Sequence, residues 1–185
     1  QINHGIDSKN SIGVSGFRKK YGIDTKYMFL SCGGFWHNKA MPELVTLFKQ
    51  VERNDITLVL TGYDNRFGIM PVSGGNVKSF LIDDRKDVMS AIVDADLYVM
   101  HSFKEGFGLV LLESMLNKTQ WAARNLAGAK LMSEYGFTYD NDQQLFNYMK
   151  DFKGVDQVQV HKSYEYMINN HDISNTVNDI LKVIK

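Results

Sequence analysis

The chain has 185 residues, 44% of them apolar, which suits one well-packed domain and is too few for two large ones. Its 21 basic and 21 acidic residues cancel, and no run of Lys or Arg is long enough to track a nucleic acid, so nucleic acid is not an expected partner. Cys32 is the only cysteine, which excludes an internal disulfide and points to reducing surroundings. A turn-like Asn3-His4-Gly5-Ile6-Asp7 opens the chain, and a start at Gln1 rather than Met reads as a fragment of a longer protein. Tyr27 to Cys32 is a short apolar run ending at Gly33-Gly34, followed by helical spacing from Met41 to Val51 through Leu44, Val45, Leu47 and Phe48. Ile56 to Thr61 is a second strand closing on Gly62, and Val77 to Ile82 a third after the turn at Gly74-Gly75. Asp84 is placed to cap a helix over Arg85 to Ala95, whose apolar positions are Val88, Met89, Ile92 and Val93. Leu97 to His101 is a fourth strand and Ser102 to Gly108 a loop, followed by a helix from Leu109 to Leu116. An apolar segment Trp121 to Ala123, a short helix near Ala129 to Ser133 and Phe137 to Tyr139 continue the alternation. From Gln143 onward the pattern is helical, and residues 143–185 are expected to form peripheral helices, with the Met and aromatic positions from Phe146 to Met167 packing on the core.

Strands that are continuously apolar, joined by helices, predict an α/β fold: a Rossmann-like parallel sheet covered by helices on both faces, with extra helices at the carboxyl end. Residues 1–185 are read as a single domain. In such sheets ligands sit beyond the carboxyl ends of the strands, where both Gly33-Gly34 and the Ser102 to Gly108 loop fall. No apolar run approaches the roughly 18 residues of a membrane span, and no secretion signal is present, so no transmembrane segment is expected.

The most informative stretch is Glu105-Gly106-Phe107-Gly108-Leu109-Val110-Leu111-Leu112-Glu113. Its glycines let the backbone approach a ligand, and the helix that starts near Gly108 turns unpaired N–H groups and its positive dipole end towards the loop. An anion fits there. Glu113, about a turn and a half into the helix, would repel phosphate but accepts hydrogen bonds from vicinal hydroxyls such as those of a ribose. Taken alone, Glu113 reads equally well as a solvated carboxylate on an amphipathic helix, Lys39 as a surface lysine and Phe107 as a packing residue.

Taken together, these residues resemble the carboxyl-terminal, donor-binding domain of a GT-B glycosyltransferase of the retaining family 4. The resemblance runs over most of residues 2 to 140: the Asn3 to Asp7 turn, Gly33 followed by Lys39, Ile56 to Gly62, Ala95-Asp96 before the fourth strand, and Ser102 leading to Glu105 and Glu113. It implies transfer of a sugar from a nucleotide-diphosphate donor, with retention and without a metal. The acceptor, a glycan or a lipid-linked sugar, would be held by an amino-terminal domain absent from this chain. By the same resemblance Glu113 binds the ribose, Glu105 contacts the hexose near the reacting centre, and Lys39 is the diphosphate lysine. Gly33, Gly34, Gly106, Phe107, Gly108 and Leu109 contribute backbone around the donor. The resemblance implies work in the cytoplasm or on the cytoplasmic face of a membrane.

Two departures stand out. The family places an Arg where this chain has Gly34, removing one cation, and Arg66 or Lys104 is the expected replacement. Asn117-Lys118-Thr119-Gln120 replaces a small residue, Gly and Pro after the second glutamate, so that turn must close differently. These departures keep open a non-catalytic nucleotide-sugar-binding module, and a nucleotide-sugar epimerase of the same architecture is a further alternative. A glycosidase is disfavoured, because Glu105 precedes the helix and Glu113 lies within it, so they address different parts of a long ligand. Neither G-x-G-x-x-G nor a phosphate-loop G-x-x-x-x-G-K-[ST] is present, and the five histidines lack zinc spacing. His101, at a strand end, is expected to be buried and bonded to backbone. Tyr63 and Asp64 are candidates for the donor pocket.

Overall fold

A computed structural model of the chain describes residues 4–62 and 73–184. Among these residues six strands form one parallel sheet: β1 (Tyr27–Cys32), β2 (Ile56–Gly62), β3 (Val77–Leu81), β4 (Leu97–Met100), β5 (Trp121–Arg124) and β6 (Phe137–Tyr139). Their spatial order is β3-β2-β1-β4-β5-β6. The helices are α1 (Phe17–Tyr21), α2 (Met41–Lys49), α3 (Arg85–Asp94), α4 (Leu109–Leu116), α5 (Ala127–Leu131), α6 (Asp142–Lys150), α7 (Gln157–His171) and α8 (Ile173–Ile184). The expected Rossmann-like class is therefore observed.

Every residue of β1 is buried, because successive side chains point into two different cores. Met28, Leu30 and Cys32 pack with Phe17 of α1, Ile92 of α3 and Leu112 of α4. Tyr27 and Phe29 face the opposite way, towards Leu44 and Phe48 of α2 and Leu145 and Met149 of α6. This two-sided burial accounts for runs that are apolar without alternation.

Local chemistry sets the element ends. Asp84 caps α3 by accepting a hydrogen bond from the Lys86 amide at 2.8 Å, as expected. Pro42 occupies the first turn of α2, where a missing N–H costs nothing. Asp96 accepts from the Met28 amide at 2.8 Å and pairs with Arg18 at 2.5 Å, locking the start of β4 to β1 and α1. The sheet is thereby anchored at its amino end, away from the loops that carry the site.

The carboxyl-terminal helices differ from the expectation for residues 143–185. Leu145 and Met149 of α6 and Met167 of α7 are fully buried, and α7 packs along α4. These two helices are part of the core rather than peripheral, because each covers a sheet face or helix that would otherwise expose apolar surface. Helix α8 does sit outward, with Val177, Leu181 and Ile184 exposed. Near the amino end, Ile6 reaches this end of the chain: it donates to the His171 carbonyl and accepts from the Ile173 amide, both at 2.9 Å. Among the described residues no helix is long and apolar enough to cross a membrane.

Candidate functional site

The strand order reverses between β1 and β4, and in open parallel sheets the crevice beyond such a switch point is where ligands bind. Here it opens into a cavity of about 780 Å³, within the usual range for a small-ligand site. Gly33, Lys39, Glu105, Gly106, Phe107, Gly108, Leu109 and Glu113, all picked out from sequence, line this one cavity. Gly34 does not line it. A Cβ there would lie 2.8 Å from the Trp36 ring, so this glycine serves close packing beneath the turn.

One side of the cavity joins the loops after β1 and β4. Lys39 ends a short 3₁₀ turn (His37–Lys39), and its Nζ meets Glu105 Oε2 at 2.6 Å, with both side chains about one-fifth exposed. The Phe103 amide donates to the Asn38 carbonyl at 2.8 Å, so the two loops are tied by backbone as well. Gly108 adopts φ 81 as it enters α4, a left-handed conformation that favours glycine, and no side chain caps the amides that follow. Those amides are the groups an anion would satisfy. Gly106 is different: its φ is not in the left-handed region and a Cβ there would meet no protein atom. A second glycine that the loop needs lies outside it, at Gly128 in α5, where a Cβ would stand 1.7 Å from the Phe107 carbonyl oxygen. The Phe107 ring packs on His4 and His171, with centroids 4.7 and 5.6 Å away.

The other side is built by α3 and α4. Glu113 Oε1 accepts from Arg85 Nη2 at 2.6 Å, with the Glu113 side chain 12% and the Arg85 side chain 59% exposed. Arg85 Nη2 also lies 3.4 Å from Ser11 Oγ. Sequence reasoning took Arg85 only as the first residue of a helix, yet it lines the cavity. Thr61 and Asp83 were likewise not singled out. Thr61, also in the cavity lining, has its Oγ1 buried without a hydrogen-bond partner among the described residues. The signal for all three was their place at or just beyond a strand's carboxyl end, Thr61 near the end of β2 and Asp83 and Arg85 after β3.

Of the two expected replacement cations, Lys104 is exposed and outside the cavity lining, because the loop turns its stem outward. Arg66, with Tyr63 and Asp64, lies outside the described residues. His101 is buried as expected, but its partners are side chains rather than backbone: Nδ1 is 2.8 Å from the Tyr139 hydroxyl and Nε2 is 3.2 Å from Arg124. It lies beneath the loop and does not line the cavity. Asn117 to Gln120 closes its turn through side chains. Asn117 accepts from the Gly13 amide at 2.7 Å and Thr119 donates to the Ile92 carbonyl at 2.6 Å, while Lys118 takes φ 57.

Burial dominates the titration of the groups beneath the cavity. It pushes the Cys32 thiol up to about 12, and the charges of Glu113, Lys39 and Arg85 all act on that sulfur. It also pushes His101 down to about 4, helped by Arg124 and opposed by Asp142. Among the described residues no group of His, Cys, Asp or Glu is arranged to hold a metal ion.

A sequence model of the family described as "Glycosyl transferases group 1" matches residues 15–133, well over half of the chain. The chain belongs to this family. No curated protein sequence matches it. Among solved structures, the chain is similar to the carboxyl-terminal domain of LpcC, a group 1 glycosyl transferase from Francisella tularensis, at 20% identity and a TM-score of 0.72, covering 91% of this chain and all of that one. It is also similar to a glycosyltransferase from Rickettsia africae, at 17% identity and a TM-score of 0.82 over 98% of this chain and 55% of that one. HepE from Anabaena, in complex with UDP and glucose, gives 18% identity and a TM-score of 0.81 over 99% of this chain and 56% of that one. At these identities the likeness establishes a shared fold, the GT-B carboxyl-terminal domain. This group 1 chain spans about half the length of the Rickettsia protein and of HepE.

Proposed function

We propose that the cavity binds a nucleotide-diphosphate sugar and that the protein transfers the sugar, with retention and without a metal ion, to a glycan or lipid-linked acceptor held by a further domain. One observation carries the reading: Lys39, Glu105, the uncapped start of α4 and Glu113 line a single cavity at the β1/β4 switch point. Phosphate, hexose and ribose each find there the chemistry they need. HepE, which shares the fold, was solved with UDP-glucose, and this supports the same donor class here.

Breaking the bond between the anomeric carbon and the phosphate oxygen leaves the electron pair on that oxygen, while the acceptor oxygen forms the new bond and its proton departs with the nucleoside diphosphate. Lys39 and the amides after Gly108 are the groups placed to stabilise that developing charge. Glu105, held by Lys39, orients the hexose beside it. Glu113 accepts from the ribose hydroxyls. The 185-residue chain alone is expected to bind donor and to transfer little, since the acceptor side comes from elsewhere.

Thermal-shift measurements against UDP-, GDP- and ADP-sugars test the binding step, because a ligand present at about 100 times its Kd adds about 2.7 kcal/mol to a folded state that alone binds it. A raised melting temperature with one base, lost in Glu113→Ala, is the expected result. No shift with any of them would overturn the reading. In the transfer-competent protein, an inverted product by NMR would overturn retention, and activity abolished by a chelator would overturn metal independence.

A further inference from the structure

A diphosphate brings more negative charge than one lysine balances, and Gly34 supplies no side chain to help. Among the described residues that line the cavity, the permanently charged cations are Lys39 and Arg85. Both are held on carboxylates at 2.6 Å, yet in unlike settings. Lys39 is enclosed along with Glu105. The Arg85 side chain is 59% exposed, whereas that of its partner Glu113 is 12% exposed, so Glu113 is the covered member of the pair and Arg85 the accessible one. A mostly covered carboxylate cannot lose its donor cheaply unless another donor replaces it. The two hydroxyls of a ribose are such donors. A guanidinium displaced by them keeps a planar fork that matches phosphate oxygens and needs a new anion.

Resting on the donor-binding reading above, we infer that Arg85 is a transferable cation: it holds Glu113 until a nucleotide arrives, then passes to the diphosphate as the ribose hydroxyls take over the carboxylate. The second positive charge thus comes from the start of α3 rather than from the turn after β1. Nucleoside and diphosphate then have opposite relations to Arg85. Phosphate gains a partner from it, whereas a bare nucleoside must displace it and is given nothing in return.

Calorimetric and NMR titrations of the 185-residue chain with UDP and uridine, GDP and guanosine, and ADP and adenosine read this directly in wild type, Arg85→Gln and Arg85→Lys. For the base that binds, Arg85→Gln is expected to weaken the diphosphate about tenfold or more, the scale of one charge-assisted hydrogen bond, with Arg85→Lys between. The matching nucleoside is expected to bind Arg85→Gln as tightly as wild type or more tightly. Equal diphosphate affinity in Arg85→Gln would overturn the inference and leave the donor reading intact. Equal weakening of nucleoside and diphosphate would also overturn it, since Arg85 would then only position Glu113. A wild type that binds none of the three diphosphates removes the donor reading and this inference together. A crystal structure of the wild-type complex gives a second readout that needs no variant: Arg85 within about 3 Å of a phosphate oxygen supports the transfer, and Arg85 still on Glu113 overturns it.

Discussion

Lys39 and Glu105 meet across two loops that are bonded to each other through Asn38 and Phe103, whereas Arg85 and Glu113 meet across two helices, with the arginine largely in solvent. The two pairs have the same 2.6 Å length and the same sign order along the chain, cation before carboxylate. Their difference shows that distance alone does not say which charges a ligand can recruit. The enclosed pair is preorganised, which suits a group that must stabilise charge without rearranging. The open pair is exchangeable, which suits a group that meets the ligand on arrival.

This contrast can be broken or sharpened by experiment. The largest effect is expected on the enclosed side. Lys39→Ala, in a form of the protein able to transfer sugar, should lose about 2 to 4 kcal/mol of transition-state stabilisation, the scale of an oxyanion donor. Unchanged turnover would show that the enclosed pair is not the one that carries the chemistry.

Next comes the support beneath that side. His101 immediately precedes the loop, and its folded value of about 4 lies below the ordinary 6.5. The unfolded chain therefore binds the extra proton first, so stability is complete above pH 6.5 and falls as pH drops towards 4, by about 3 kcal/mol. Urea midpoints at pH 7 and pH 4.5 check this. The drop should shrink in His101→Gln, and an identical drop would assign it to other groups.

Gly128→Ala, which sets a Cβ against the Phe107 carbonyl, should cost about 2 kcal/mol by urea denaturation and weaken nucleotide binding by shifting the loop. A neutral outcome would mean that the loop is less constrained than its hydrogen bonds indicate. Least of all is expected on the open side: Arg85→Lys keeps the charge where the side chain is solvated and should change stability by under about 1 kcal/mol. A large drop in melting temperature would remove the distinction between the two pairs.

Much of this was legible from residues alone. The runs from Tyr27, Ile56, Val77 and Leu97 begin strands at those residues, since a strand between two helical layers must be apolar on both faces. Glu105, Gly108 and Glu113 were visible because a glycine turn between carboxylates has few structural uses. Arg85 was not visible, because helical spacing says which face a residue occupies but not which carboxylate waits across the next helix. Gly128 was hidden for a similar reason: its need arises from a backbone atom some twenty residues earlier in the chain, at Phe107. Core packing of the Met positions in α6 and α7 was legible from their spacing, but their place as covering rather than peripheral helices was not, because amphipathic spacing fits both equally well.

The order of apolar runs, glycines and caps determined the alternating strands and helices, and with them where a ligand crevice must open, because these follow from short-range backbone sterics and from burial. Only the tertiary structure decided which charge faces which. Lys39 with Glu105 and Arg85 with Glu113 are pairs 66 and 28 residues apart in sequence, and Coulomb attraction at 2.6 Å depends on how the sheet brings their elements together, which no local pattern encodes.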